Sequence, residues 1–214
     1  MITFRRGGIC SVLGGTIVHG RPSQKDCVPV ISLKAAPGAG ESWDRPKAIV
    51  FWWAVAELLF VTNPWQLSSR LRTTVLRAFG ADIAEGVIFR PRTRVRFPWK
   101  LHVGRDCWIG EGVWLHNQDH VYIEHDVTLS QETFVTTGSH AHRRDMALLT
   151  KPVHIEAGAW VTSRCIVLGG SRIGRSALVT PGTVVAGEVP ANTIWGSQDA
   201  PTALGYRFDP ASQP

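Results

Sequence analysis

A chain of 214 residues suits one domain with appendages, and its 44% hydrophobic content is ordinary for a soluble protein. The formal net charge of +6 suggests polyanionic company: a nucleotide cofactor, an anionic substrate or a membrane surface. No RNA- or DNA-binding motif accompanies it, which sets nucleic acid aside as a partner. The four cysteines include no CxxC, so a reduced, cytoplasmic compartment is the simpler reading.

Residues 1–45 are rich in Gly, Ser and Pro, show no period, and read as a mobile tail. Arg5 and Arg6 precede a mildly apolar run, but that run is Gly-rich and no A-x-A-like cleavage site follows, which disfavours export. Residues 46–80 form a helical cap segment. Ala48 to Val61 is strongly apolar, Glu57 being its only charge. It is too short to span a bilayer, which needs about 20 residues. Asp44 is placed to cap this helix, and Asn63-Pro64 ends it. A second helix is expected from Gln66 to Phe79, with Leu67, Leu71, Val75 and Phe79 on one face and Arg70, Arg72 and Arg77 on others. Gly80 closes it. A cap on the following scaffold is the favoured reading. Trp52, Trp53, Phe51 and Phe60 beside basic residues would also suit a membrane surface.

From Ala81 to Pro190 the chain counts in sixes. Apolar anchors stand at Ile83, Phe89, Val95; Val103, Ile109, Leu115; Ile123, Leu129, Val135; Ile155, Val161, Val167; Ile173, Val179, Val185. Two residues before each anchor stands a small or β-branched residue, from Ala81 to Thr183; Leu101 is the largest exception. Residues two apart on a strand share a face, so each hexad supplies one short strand with two inward side chains. Three strands close a triangular coil, and stacked coils bury a continuous column. Cys107 and Cys165 fall at inward positions and read as core fillers. Three residues after an anchor stand Gly86, Asp106, Gly112, Asp126, Gly138, Gly158, Gly170 and Gly182, types that tolerate the left-handed backbone of a tight corner. The expected fold is an all-β solenoid, a parallel β-helix of about five coils. It is preceded by the helical segment and followed by a C-terminal extension at 191–214.

The count breaks once, between coils three and four, where residues 135–152 read VTTGSHAHRRDMALLTKP. A regular scaffold interrupted at a His-bearing segment is where chemistry is expected. His140 suits a general base; a solvated loop histidine would also fit its position. His142 is its rival. Asn117 can hold an acceptor hydroxyl or simply form a corner. Ser130 and Gln131 are weaker candidates of the same kind. Trp160 should project outward, to stack on a sugar or a cofactor arm or to seal a subunit seam. Arg90, Arg92, Arg94 and Arg96 form a solvated face or receive an anionic acceptor.

The phrases LRAFGADI (76–83), FPWKLHVG (97–104), HNQDHVYIEHDVTLSQET (116–133), TTGSH (136–140) and TKPVHI (150–155) carry a resemblance over roughly residues 46–207. The chain resembles the hexapeptide-repeat acyltransferases, and within them the acetyltransferases of exopolysaccharide synthesis of the colanic-acid type. The resemblance implies a left-handed helix and a homotrimer with CoA between neighbouring subunits. It also implies acetyl transfer from acetyl-CoA to a sugar hydroxyl of a glycan or glycan precursor, with His140 as base and no metal. Asn117, His142, Ser130 and Trp160 become the substrate-binding candidates. Lys151, Arg164, Arg172, Arg175 and Arg207 become candidates for the CoA phosphates, and the backbone amides of Gly170 and Gly187 for the pantetheine arm. The family has Asp directly after the histidine, where this chain has Ala141, so what orients His140 is open. Glu124 and Glu156 stand in place of a common corner Gly. Two other readings compete. His102, His116, His120 and His125 raise a metal hydratase of the gamma-class carbonic anhydrase kind. A non-catalytic scaffold is the third. The expected location is the cytoplasm, with the inner face of the membrane as an additional contact.

Overall fold

The repeating inward pair dictates the architecture. In the computed structural model, which describes residues 31–37, 43–196 and the backbone of 202–206, a left-handed parallel β-helix fills residues 82–196. All fifteen anchors and all fifteen of their i−2 partners are buried. Each fully buried Val, Leu or Ile contributes about 1.5–3 kcal/mol relative to exposure. The first face stacks Asp82–Ile83, Leu101–Val103, Val121–Ile123, Val153–Ile155, Arg172–Ile173 and Glu188–Val189 in parallel register. The second face runs from Ile88–Phe89 to Thr193–Gly196, and Thr202–Tyr206 pairs antiparallel against its last strand. The third runs from Arg94–Val95 to Val184–Val185. The coil number is therefore five complete turns and part of a sixth, slightly more than the expected five, because Val189 continues the buried column.

Corners between the first and second faces, and between the second and third, adopt left-handed backbone at the i+3 residue. Gly86 shows why glycine suits one of them: φ is +74°, and a Cβ there would collide with the Asp106 carboxylate. Where glycine is absent, Arg92, Asp106, Asp126, Glu132, Arg164, Ser176 and Asn192 accept the same conformation at φ 56–59°. That costs about 1–2 kcal/mol each relative to right-handed backbone. The third corner differs. It carries the insertions Pro98–Lys100 and 117–120, and then the long excursion. Gly138, expected as a corner residue, is instead the first residue of a hairpin strand.

The helical segment seals the first coil. Helix α1 (Lys47–Ala56) continues into a π turn (Glu57–Val61), and α2 (Ser69–Ala78) follows. Trp53 Nε1 donates to Val95 O at 3.0 Å, and Val95 N donates to Glu57 Oε1 at 2.8 Å. Phe89 N donates to Ser69 Oγ. Backbone groups at the open end of a stack have no next coil to bond, and these side chains satisfy them. Burial pushes the Glu57 carboxyl pKa up, opposed by the Val95 N–H bond and by Arg96 and Arg94. Asp44 does not cap α1, whose N-cap is Pro46 with no side-chain bond. It has φ +52° and pairs with Lys100 at 2.6 Å. Ser68 caps α2 through Leu71 N, and Gly80 follows it at φ +95°. Cys10, Cys27, Arg207, most of the expected tail and most of the C-terminal extension lie outside the described residues.

The two inward thiols give a first prediction. Cys107 and Cys165 are completely buried, and desolvation pushes the Cys107 pKa up to about 11. A thiol that is neither accessible nor ionised does not react. Native protein at pH 8 should therefore leave residues 107 and 165 unmodified by iodoacetamide, read by peptide mass spectrometry, and denatured protein should label both. Native labelling at either position would contradict their packing.

Candidate active site

The excursion folds as a hairpin on the edge between the third and first faces. Gly138–His140 pairs antiparallel with Leu148–Thr150, in register Gly138 to Thr150 and His140 to Leu148. Its root is fixed by Thr137, which is buried: Thr137 Oγ1 accepts from Asp119 N at 2.8 Å and its carbonyl accepts from Lys151 N at 3.0 Å. A Cβ on Gly138 would meet the Gln118 carboxamide, so the glycine lets Gln118 lie across the root. His116 stands one coil below, with Nδ1 3.3 Å from Thr136 Oγ1. Burial, and secondarily Arg96, push the His116 pKa down, which keeps the ring neutral near pH 7.

His140 is exposed on this hairpin, and its orientation has a direct cause. Its Nδ1 lies 2.8 Å from Met146 O, a contact in which the ring must donate. In the neutral ring that bond selects the Nδ1–H tautomer, with Nε2 as the acceptor. Met146 is held at φ +60°, and Ala141 N donates to Ala147 O within the same turn. A main-chain carbonyl thus fills the role for which an acidic neighbour was expected, and Ala141 is buried beneath the turn. His142 is exposed on the same turn.

The other candidates separate. Asn117 is fully buried, and its amide is taken at both ends: Oδ1 accepts from Phe97 N at 3.0 Å and Nδ2 donates to Phe97 O at 2.6 Å. The side chain pins the insertion corner, one of the two roles its position allowed, and turns no polar atom outward. Gly170 N already donates to Pro152 O, and Gly187 N to Ser171 Oγ. Both N–H groups are thus engaged within the coil. Lys151 shares the hairpin edge and lies against Gly170. Arg164 is on the edge between second and third faces, paired with Glu132 at 2.6 Å beside an open cleft of about 570 Å³. Arg175 is on the remaining edge, 3.8 Å from Glu124. Lys151, Arg164 and Arg175 thus occupy three different edges of one protomer. Glu124 and Glu156 accept main-chain N–H groups of Ala157 and Arg175, so these carboxylates brace corners.

On the second face, Trp160 Nε1 donates to Ser130 Oγ at 2.9 Å, which joins two candidates into one outward unit. Trp108, in the same register column, lines an adjacent groove with Ile88, Arg90, Thr128, Ser130 and Gln131. The four arginines of the first coil divide. Arg94 lies over Trp114 and Arg96 over Phe97, Arg92 pairs with Glu111, and Arg90 faces the groove. The histidines of the hydratase reading do not converge. His102 Nε2 meets His120 Nδ1 at 2.9 Å, but His116 bonds Thr136 and His125 bonds Asp126. Among the described residues no group of three or more His, Cys, Asp or Glu is arranged to hold a metal. Met146, Gln118 and Trp108 had no sequence signal beyond their neighbours, because a backbone carbonyl and a packing contact leave none.

No family model matches the chain. Over 147 residues it is 32% identical to WcaF of Escherichia coli, named as a colanic acid biosynthesis acetyltransferase, covering 68% of this chain and 80% of that one. A galactoside O-acetyltransferase of Lactococcus lactis is 24% identical over 139 residues, 63% of this chain and 65% of that one. The hexapeptide-repeat acetyltransferase VCA0836 of Vibrio cholerae, solved in complex with acetyl coenzyme A, matches with a TM-score of 0.68 at 20% identity. That match covers 76% of this chain and 89% of the Vibrio chain, and at this identity it shows a shared fold.

Proposed function

The chain belongs to the family of the colanic acid biosynthesis acetyltransferases, and from that premise we propose that it O-acetylates a sugar hydroxyl of an exopolysaccharide or glycan precursor, using acetyl-CoA. The observation that carries the mechanism is the exposed His140 ring, oriented by Met146 O so that its neutral form presents Nε2 as the acceptor. Nε2 takes the proton of the acceptor hydroxyl as its oxygen attacks the thioester carbonyl. A main-chain N–H stabilises the oxyanion of the tetrahedral intermediate. Collapse breaks the C–S bond, and the departing thiolate takes the proton back from His140. The products are the acetyl ester and CoA, with no covalent enzyme intermediate.

The active unit we propose is a homotrimer. Its support is the dispersal of the cationic candidates over three edges: a ligand lying between two protomers can meet Lys151 of one and Arg164 or Arg175 of its neighbour. The Trp160–Ser130 unit and the exposed Trp108 then line or close the seam. His142 completes the acceptor side. Buried free thiols at 107 and 165 suit a reducing cytoplasm. No helix among the described residues is long and apolar enough to cross a membrane.

Acetyl-CoA should raise the melting temperature and be consumed when carbohydrate acceptors are supplied. At one hundred times its Kd, a ligand specific to the native state adds about 2.7 kcal/mol, or roughly 5–10 °C for a chain of this size. A flat melting temperature together with no turnover across the panel would favour the non-catalytic scaffold.

A further inference from the structure

The helical cap is apolar on two opposite faces, and the cap architecture uses only one. Trp53, Ala56 and Val61 are buried against the first coil. Phe51, Trp52, Leu58 and Leu59 lie on the opposite side, at spacings of seven residues, which return to one face of a helix. Trp65 and Leu67 extend this surface from the linker to α2. The linker is held against the end of the π turn, since Asn63 Nδ2 donates to Leu59 O and Gln66 Nε2 to Phe60 O. Exposure is 61% for Phe51 and Trp52, 68% for Leu58, 89% for Trp65 and 79% for Leu67. Scattered apolar residues need no explanation; a continuous aromatic and aliphatic surface of this kind marks a partner.

We propose that this outer face of the cap docks on the surface of an anionic lipid bilayer. Charge selects that occupant. Over residues 45–80 every exposed charged side chain is cationic: Arg77 is turned to the first coil, donating to Ile83 O and Ala84 O, which leaves Arg45, Lys47 and Arg70, while Asp44, the exposed carboxylate just before the stretch, is paired with Lys100. The one carboxylate in the stretch, Glu57, is turned in to Val95 N. Tryptophan and phenylalanine beside basic residues match the headgroup boundary, where ring bodies enter the acyl region and cations stay with phosphates. Helix α1 with its π turn covers only residues 47–61, which is too short to span, so the segment lies on the surface. The opposite face bonds to the first coil, so the β-helix column would stand away from the bilayer on its sealed end.

The test is co-sedimentation of the full chain with vesicles, without acetyl-CoA or acceptor, so that its outcome is independent of the acetyl-transfer reading. Vesicles of phosphatidylcholine with about one third phosphatidylglycerol should carry the protein down, and phosphatidylcholine alone should do so far less. About 0.5 M salt should weaken the binding. The variant Phe51→Ser/Trp52→Ser/Leu58→Ser should partition about tenfold less or worse, and so should Trp65→Ser/Leu67→Ser, which leaves α1 intact. Circular-dichroism melts should match the native chain. Wild-type protein that stays in the supernatant, or variants that bind as well as wild type, would overturn the proposal. So would variants that keep their vesicle binding but break a larger assembly in lipid-free buffer. That result would assign the face to contacts between copies of this chain.

Discussion

His140→Ala should lower kcat for acetyl transfer by about a hundred- to ten-thousand-fold, the range supplied by a positioned general base. KM for acetyl-CoA should change little, because the ring handles the acceptor proton and does not hold the CoA. The fold should survive, since the side chain is exposed and bonds to the Met146 carbonyl within its own turn. Steady-state kinetics with a responsive acceptor, alongside a thermal melt, would check all three. Undiminished turnover would refute the assignment. His142→Ala on the same turn is the control: a loss as large as that of His140→Ala would move the base role to His142.

The second large effect is on stability. Arg72→Met should destabilise the chain by about 3–5 kcal/mol, seen as a fall of roughly 10 °C in melting temperature. Arg72 is completely buried beneath α2, although it carries a charge. Its guanidinium donates to four carbonyls: Nε to Val61 O at 3.1 Å, Nη1 to Phe89 O at 3.5 Å, and Nη2 to Asn63 O and Gln66 O. These acceptors belong to the end of the π turn, the linker and the first coil, so one side chain joins three pieces of backbone. Burial pushes its pKa down, but an arginine stays charged at any working pH. Methionine fills similar volume and leaves the carbonyls without a donor. Arg72→Lys should recover little, because one ammonium cannot reproduce a fork of diverging donors. Full recovery with lysine would show that charge alone, rather than geometry, holds the cap.

Arg72 also shows where reading the chain in one dimension fails. The four-residue spacing of Leu67, Leu71, Val75 and Phe79 suggests an apolar stripe with arginines outside it. In the fold Leu67 and Leu71 are exposed, while Arg72, Thr73 and Leu76 are buried. Helical periodicity reports which residues share a face, and the neighbour decides which face is covered. For α2 the neighbour is the end of the π turn, the linker and the first coil, whose backbone carbonyls suit a guanidinium better than a leucine. Asn117 follows the same logic. A corner asparagine can turn its amide outward or inward, and here it bonds inward to the Phe97 backbone.

The β-helix itself was legible because its information is local and repeated. Every sixth residue meets the same buried environment, so the pattern recurs through Ile83 to Val185 and survives substitutions at single positions. The hairpin was legible as a break in that pattern, with His140 and His142 inside it. What the sequence alone could not decide is where non-repeating side chains point. Those directions depend on contacts between residues far apart in the chain: Met146 O on His140, Ser130 on Trp160, Phe97 on Asn117. The sequence determined the column, its period and the place of its interruption. Only the tertiary structure decided that a carbonyl orients His140, that the cationic candidates divide among three edges, and that the cap keeps a second apolar face bare. The physical reason is that burial is written into composition at each position, whereas hydrogen-bond direction is settled only when two distant segments meet.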